Sequence, residues 1–198
     1  MSLPGLVKLV ASDAVIADAC ASARLKHPTP TDIVLPQTLQ PFVTAALSEI
    51  RPVLLVTSTY REAEQMTSTL ASILGEDDVA YYPAWETLPH ERLSPRSDTV
   101  GRRLEVLRRV AGKDARPAPR IVVAPIRAVI QHQAAGLCDL QPVTLATGEE
   151  HDLDQLVEAL AAAAYHRVDL VERRGQFAVR GGILDVFPPT ADHAVRID

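Results

Sequence analysis

The chain has 198 residues, 47% of them hydrophobic, and a formal net charge of −5. That is enough apolar material for one core, or one core and a small satellite, and it is too acidic for a domain whose whole surface holds nucleic acid. No stretch approaches the roughly 18 consecutive apolar residues of a membrane span, and the first residues lack the order of a signal peptide, so a globular, cytoplasmic protein with no membrane partner is expected.

The two cysteines, Cys20 and Cys138, lie far apart and offer neither a disulfide framework nor a metal pair. The six histidines never fall at a ligand spacing, so no metal site is expected. The charge is unevenly placed. Between Arg92 and Arg127 lie ten of the twenty basic residues against three acids, Asp98, Glu105 and Asp114.

In chain order, the Ala-rich opening to about Lys26 carries Val7, Val10, Val15 and Ala19 at helical spacing and predicts one or two helices, ended by HPTPTD. Pro41 to Ile50 reads as a helix with proline in its first turn. The run PVLLVTST, Pro52 to Thr59, has the continuous apolar character of a buried parallel strand, and YREAEQMTSTLASIL then predicts an amphipathic helix. DVAYYP and RIVVAP predict two further strands, the latter followed by a helix over IRAVIQHQAA. Between them a helix capped by Ser97 is expected to run to about Val110, with Val100, Leu104, Leu107 and Ala111 as its apolar stripe and its arginines on a solvated face. Trp85, beside Pro83 and Pro89, reads as a packing residue in a fixed loop. Strands alternating with helices imply a parallel sheet covered by helices.

The pattern changes near residue 140. A polar connection leads to the helix DLDQLVEALAAAAY and then to closely spaced strands, an α+β unit ending in AVRID, which reads as a strand cut short. Within it, RRGQFAVRGGILDVFPP sets Arg173, Arg174 and Arg180 among apolar residues. Gly181 and Gly182 serve a tight hairpin or a bulge, and Phe177, Val179, Ile183 and Phe187 include the core face. Arginine is costly to bury, so these side chains, with Arg167 upstream, are expected to point outward.

A parallel α/β sheet invites a nucleotide site, which needs a Gly-rich loop between strand and helix and a lysine for the phosphates. Here no glycine lies between Gly5 and Gly75, and the segment in the expected place, IVLPQTLQPFVTAALSEI, contains prolines and no lysine. RIVVAP is followed by Ile126 and Arg127, with no acidic pair to hold magnesium. No Gly-x-Ser-x-Gly elbow appears. Neither a catalytic residue nor a bound cofactor is expected in this chain.

Three stretches together resemble one family. YYPAWETLPHERLSPRSDTVGRRLEVLRRV, Tyr81 to Val110, resembles a block of the bacterial transcription-repair coupling factors. VERRGQFAVRGGILDVFPP resembles a segment shared by those factors and the excision-repair protein UvrB, and PVLLVTSTYREAEQM sits where both carry a strand and helix after the nucleotide loop. The resemblance covers roughly Val34 to Asp198 and implies an N-terminal, UvrB-like module. UvrB itself would need an intact phosphate loop and a long aromatic hairpin, whereas fifteen residues separate Tyr82 from Asp98, with Trp85 the one aromatic among them.

The implied organisation is an N-terminal helical segment over 1–30, a motor-lobe-like α/β domain with a degenerate phosphate loop over 31–138, and an α+β domain over 139–198 that docks on UvrA. The resemblance also implies, elsewhere in the full protein, contacts with RNA polymerase and upstream double-stranded DNA, an ATP- and Mg2+-dependent DNA translocase motor, and a C-terminal domain that contacts this module. The expected function is recruitment of UvrA without catalysis, linking a stalled polymerase to excision repair. The alternative is an ATP-driven helicase or nuclease lobe of UvrB type acting on damaged DNA. Guanidinium groups bind carboxylates with two hydrogen bonds, so Arg167, Arg174 and Arg180 are the principal partner-binding candidates, with Arg173 lesser and Phe187 as an apolar contact.

Overall fold

The structure, a computed structural model, describes residues 4–87 and 94–198. Pro89 and Arg92, named in the sequence reading, lie outside the described residues. The chain folds as two compact units, one of residues 1–85 and 105–133 and one of residues 86–104 and 134–198.

The first unit opens with two helices, α1 (Pro4–Ala11) and α2 (Ala14–Ala23). The Asp13 carboxylate caps the second, accepting from the N–H of Val15 at 3.0 Å and of Ile16 at 3.4 Å. A 3-10 turn, Gln37–Leu39, precedes α3 (Gln40–Ser48), whose first turn holds Pro41. Strand β1 (Val53–Thr57) leads into α4 (Tyr60–Leu74), which starts in a reciprocal cap: Thr59 Oγ1 accepts from Glu62 N–H, and Glu62 Oε2 from Thr59 N–H. Strand β2 (Val79–Tyr81) follows, then α5 (Ser97–Val110), of which residues 105–110 belong to this unit, β3 (Ile121–Pro125) and the single-turn α6 (Ile126–Ile130), shorter than the helix expected over IRAVIQHQAA.

The three strands form a parallel sheet in the order β1-β3-β2. Side chains alternate across the sheet, so Val53, Leu55, Ile121, Val123, Val79 and Tyr81 share one face, which packs with α1 to α4. On the other face Ala80, Val122 and Ala124 pack with Val106 and Leu107 of α5 and Ala128 of α6. β1 departs from the buried strand that its sequence suggests. It is the end strand, and Leu54 and Val56 are 56% and 41% exposed.

The helix α5 also corrects its sequence reading. Its most buried positions are Thr99, Arg103, Val106 and Arg109, whereas Val100, Leu104 and Leu107 are half-buried and Ala111 is exposed beyond the helix end. Arg103 is fully buried and Arg109 only 3% exposed, so the arginines do not form one solvated face. In the first unit Arg109 donates from Nε to Pro117 O at 3.0 Å and from its terminal nitrogen to Asp77 O. Both acceptors are backbone carbonyls, and the bonds tie the end of α5 to the turns flanking β2 and β3. Ser97 is the first helical residue and not the cap, since Val100 N–H already bonds to Arg96 O at 3.0 Å.

The second unit carries a 3-10 turn, Leu137–Asp139, then α7 (Leu153–Ala162), capped by Asp152, whose Oδ1 accepts from Gln155 N–H at 3.0 Å. Four strands follow, β4 (His166–Arg167), β5 (Gln176–Arg180), β6 (Ile183–Phe187) and β7 (Val195–Ile197), in a sheet of that order. The first pair is parallel and the other two antiparallel. Phe177, Leu184, Val186 and Leu160 of α7 form the core. Two glycines are demanded by close approach. A Cβ at Gly101 would lie 2.5 Å from Pro189 Cβ, and one at Gly175, where φ is +80°, would run into the Ser97 side chain. The α/β class with two sheets, one parallel and one mixed, is the class expected from sequence.

Candidate partner-binding surface

The stretch RRGQFAVRGGILDVFPP is the β5–β6 hairpin with its lead-in, which resolves the role of the glycine pair. Arg180 pairs with Ile183, and Gly181, with φ +61°, makes the first position of a two-residue turn that only a residue tolerant of positive φ adopts cheaply. The cross-strand pairs Phe177 with Val186 and Val179 with Leu184 then fall on the core face. Gln176, Ala178, Arg180, Asp185 and Phe187 fall on the opposite face. Ile183, included in the expected core face, is 37% exposed.

The five candidate side chains separate into two groups. Arg167 and Arg180 line one hollow of about 490 Å³ with Val168, Asp169 and Val179. They are thirteen residues apart in sequence, and both reach the lining of this hollow where β4 runs parallel to β5, with Arg167 in register with Phe177 and Val168 N–H bonded to Phe177 O at 2.9 Å. Both arginines are exposed. Arg180 donates to Asp169 O at 2.6 Å, which fixes the guanidinium at the β4 side of the sheet while leaving its other donors for a second acceptor.

Arg173, Arg174 and Phe187 border a second hollow, also about 490 Å³, with Arg96, Ser97, Asp98 and Glu172. Arg173 is exposed. Arg174 departs from the outward orientation that its charge suggests. Its side chain is 33% exposed, donates from Nε to Ala191 O at 2.8 Å, lies 3.5 Å from Asp192 Oδ1, and has its guanidinium carbon 5.4 Å from the centroid of the Phe187 ring. Arg174 thus braces the loop after β6 and covers a half-buried Phe187.

The same sheet carries an ion pair that the sequence reading missed. Arg196 of β7 donates to Asp185 of β6 at 2.7 and 3.0 Å. The Arg196 hydrogen bond first, opposed by some desolvation, and then the charges of Arg196 and Arg180 hold the Asp185 carboxyl below its usual range. Only the strand pairing puts Arg196 opposite Asp185, eleven residues away, so no local motif signals it. Tyr165, packed against the core, has its phenol pushed above the usual value by burial.

In the first unit a groove of about 750 Å³ opens where β1 runs into α4, and its lining includes Gln37, Thr38 and Gln40 from the 3-10 turn and the start of α3, with Thr57 and Ser58. No lysine, arginine or glycine is among its lining residues, and Glu62, the one charged residue there, is engaged in the α4 cap. Among the described residues no group of three or more His, Cys, Asp or Glu side chains is placed to hold a metal ion. No helix among them is long and apolar enough to cross a membrane.

Fold and surface together define a two-unit α/β module with an arginine-bearing sheet edge. Residues 143–198 match the family described as the UvrB interaction domain. Over 199 aligned positions the chain is 43% identical to the transcription-repair-coupling factors of Mycobacterium bovis and Mycobacterium tuberculosis, an alignment covering 99% of this chain and 16% of each relative. To the transcription-repair-coupling factor of Bacillus subtilis it is 30% identical over 159 residues, 79% of this chain and 13% of the relative. The chain belongs to the transcription-repair-coupling factor family, of which it is a UvrB-like module. It spans about a sixth of the length of these two Mycobacterium relatives.

Proposed function

We propose that this chain recruits UvrA through the second unit and catalyses nothing itself. The observation that carries the reading is a coincidence of position: the residues matching the UvrB interaction domain, 143–198, include β4 to β7, the sheet that displays the arginines. Arg167 and Arg180 are the principal contacts, because they are exposed, lie on adjacent strands and retain free donors for carboxylates of an acidic partner surface. Arg173 is a lesser contact. Arg174 and Phe187 act from behind, one bracing the other, and present the rim of the neighbouring hollow.

The first unit acts as a scaffold that needs neither ATP nor Mg2+. The absence of basic residues from the groove where β1 runs into α4 supports this, since a triphosphate placed there would meet no cationic side chain. For the whole protein, the family relationship supports an ATP-dependent DNA translocase whose other parts meet RNA polymerase and upstream duplex DNA. The test is isothermal titration of UvrA into the chain, without nucleotide and then with magnesium-ATP. Saturable binding in both, with no rise in the melting temperature of the chain on adding magnesium-ATP alone, is the expected result. Absence of binding, or stabilisation of the chain by magnesium-ATP, overturns the reading.

A further inference from the structure

Strand β5 is entered through a turn at residues 173–175 that carries two adjacent like charges, Arg173 and Arg174. Most of this turn is anchored to other parts of the second unit. Gly175 donates its N–H to Phe187 O at 2.7 Å, its carbonyl accepts from His166 N–H at 2.9 Å, and its φ is +80° where it meets the Ser97 side chain. Arg174 is held by Ala191, Asp192 and the Phe187 ring. Arg173 differs. It is exposed, and among the described residues its guanidinium makes no hydrogen bond or ion pair, so only the backbone directs this long side chain.

That backbone is gripped by one residue. Gln176, the first of β5, accepts at Oε1 from the N–H of Glu172 at 3.0 Å and of Arg173 at 2.9 Å, and its own N–H donates to Arg173 O at 3.3 Å. An amide carbonyl has two lone pairs and takes both donors at ordinary lengths. Both backbone polar groups of Arg173 are therefore tied to Gln176, which sets the direction in which the arginine side chain leaves the turn. Gln176 is half-buried on the face opposite the core, so its side chain is not part of the apolar packing of the unit. An uncharged acceptor suits the position, because a carboxylate this close would offset the positive charge that Arg173 presents.

We propose that Gln176 is a positioning residue of the partner-binding surface: it clamps the N–H and C=O of Arg173 so that the free guanidinium stands at the hollow bordered by Ser97, Arg174 and Phe187, open to a carboxylate of UvrA. Holding the side chain in place before the partner arrives lowers the ordering cost of the contact. The proposal rests on the recruitment of UvrA and adds to it a residue that acts through Arg173 without touching the partner.

Amide hydrogen exchange in the chain alone tests the clamp, and titration of UvrA tests its purpose. In Gln176→Met, which keeps the length of the side chain but has only a weak thioether acceptor, the Glu172 and Arg173 amides should exchange at least about 10-fold faster, whereas Gln176→Glu, able to accept the same two bonds, should keep them protected. Unchanged exchange in Gln176→Met, or protection lost in both variants, overturns the proposal. In the titration Gln176→Met should weaken UvrA binding about as much as Arg173→Ala does, roughly 5-fold, and the double variant should bind no more weakly than either single one, with unchanged circular dichroism. Additive losses would show that Gln176 acts independently of Arg173 and overturn the proposal, as would wild-type affinity in Arg173→Ala. Each of these outcomes leaves Arg167 and Arg180 as contacts, while absence of UvrA binding by the wild-type chain would overturn the recruitment reading and this proposal together.

Discussion

Two groups of arginines occupy this molecule, and they do different work. Those of α5 arrive in pairs, Arg102 with Arg103 and Arg108 with Arg109, and one member of each pair, Arg103 and Arg109, is buried. Arg109 spends its donors on the carbonyls of Asp77 and Pro117, so its charge stabilises backbone turns. Those of the second sheet are mostly exposed, and Arg167 and Arg180 converge on one hollow. The denser cluster in sequence is therefore partly structural, and the sparser one is the available surface. Density of charge along a chain says little about display. What decides is which face of its element the side chain occupies: Arg103 and Arg109 share the buried face of α5 with Thr99 and Val106, whereas Arg167 and Arg180 are exposed on the second sheet.

Substitutions break or sharpen this contrast. The largest expected effect is at the support of the second group: Phe177 is 1% exposed on the core face of β5, so Phe177→Ala should cost about 3–5 kcal/mol and unfold the second unit at lower urea, monitored by circular dichroism. A cost below about 1 kcal/mol would mean that this sheet is not built around Phe177. Next comes Arg109→Ala, expected to cost about 2–3 kcal/mol because two backbone carbonyls lose a charged donor, against less than about 0.5 kcal/mol for the exposed Arg102→Ala. Equal effects in a denaturant titration would erase the distinction drawn within α5.

Arg174→Ala should be smaller, about 1 kcal/mol, and local, since this arginine braces Ala191 and covers Phe187. Faster proteolysis after residue 188, with the rest of the unit unchanged, is the expected sign. The smallest effect belongs to Asp185. Its native carboxyl titrates below the usual range, so the stabilisation is complete above the unfolded value near pH 4 and is lost as pH falls through the depressed native value. The difference in melting temperature between wild type and Asp185→Asn should accordingly hold at neutral pH and shrink in acid. A difference that grows in acid contradicts the assignment.

Much of the fold was legible because local signals agreed with one another. The run PVLLVTST followed by YREAEQMTSTLASIL shows both a strand and an amphipathic helix, and the structure has each. What escaped depended on neighbours remote in sequence. Nothing in VLLVT says which strands flank it, and an apolar run reads as buried even where, as at Leu54 and Val56, the sheet stops. The apolar stripe of α5 was misplaced because its buried face includes Thr99, Arg103 and Arg109, residues that hydrophobic periodicity scores as exposed. In the candidate surface, the arginines were visible as residue types in a strand context. Their division into Arg167 with Arg180 and Arg174 with Phe187 was not, since it arises from the parallel β4–β5 pairing and from the loop that returns past Ala191.

The central claim is that the exposed pair on the second sheet forms the UvrA contact. The most direct test is the affinity of UvrA for the double variant Arg167→Glu with Arg180→Glu, measured by titration beside wild type and the α5 control Arg102→Glu. The expected result is a loss of about 30-fold or more, about 2 kcal/mol, for the sheet variant, with unchanged circular dichroism and wild-type affinity for the control. Wild-type affinity in the sheet variant, with its fold intact, would show that these arginines are merely solvated and that UvrA is held elsewhere.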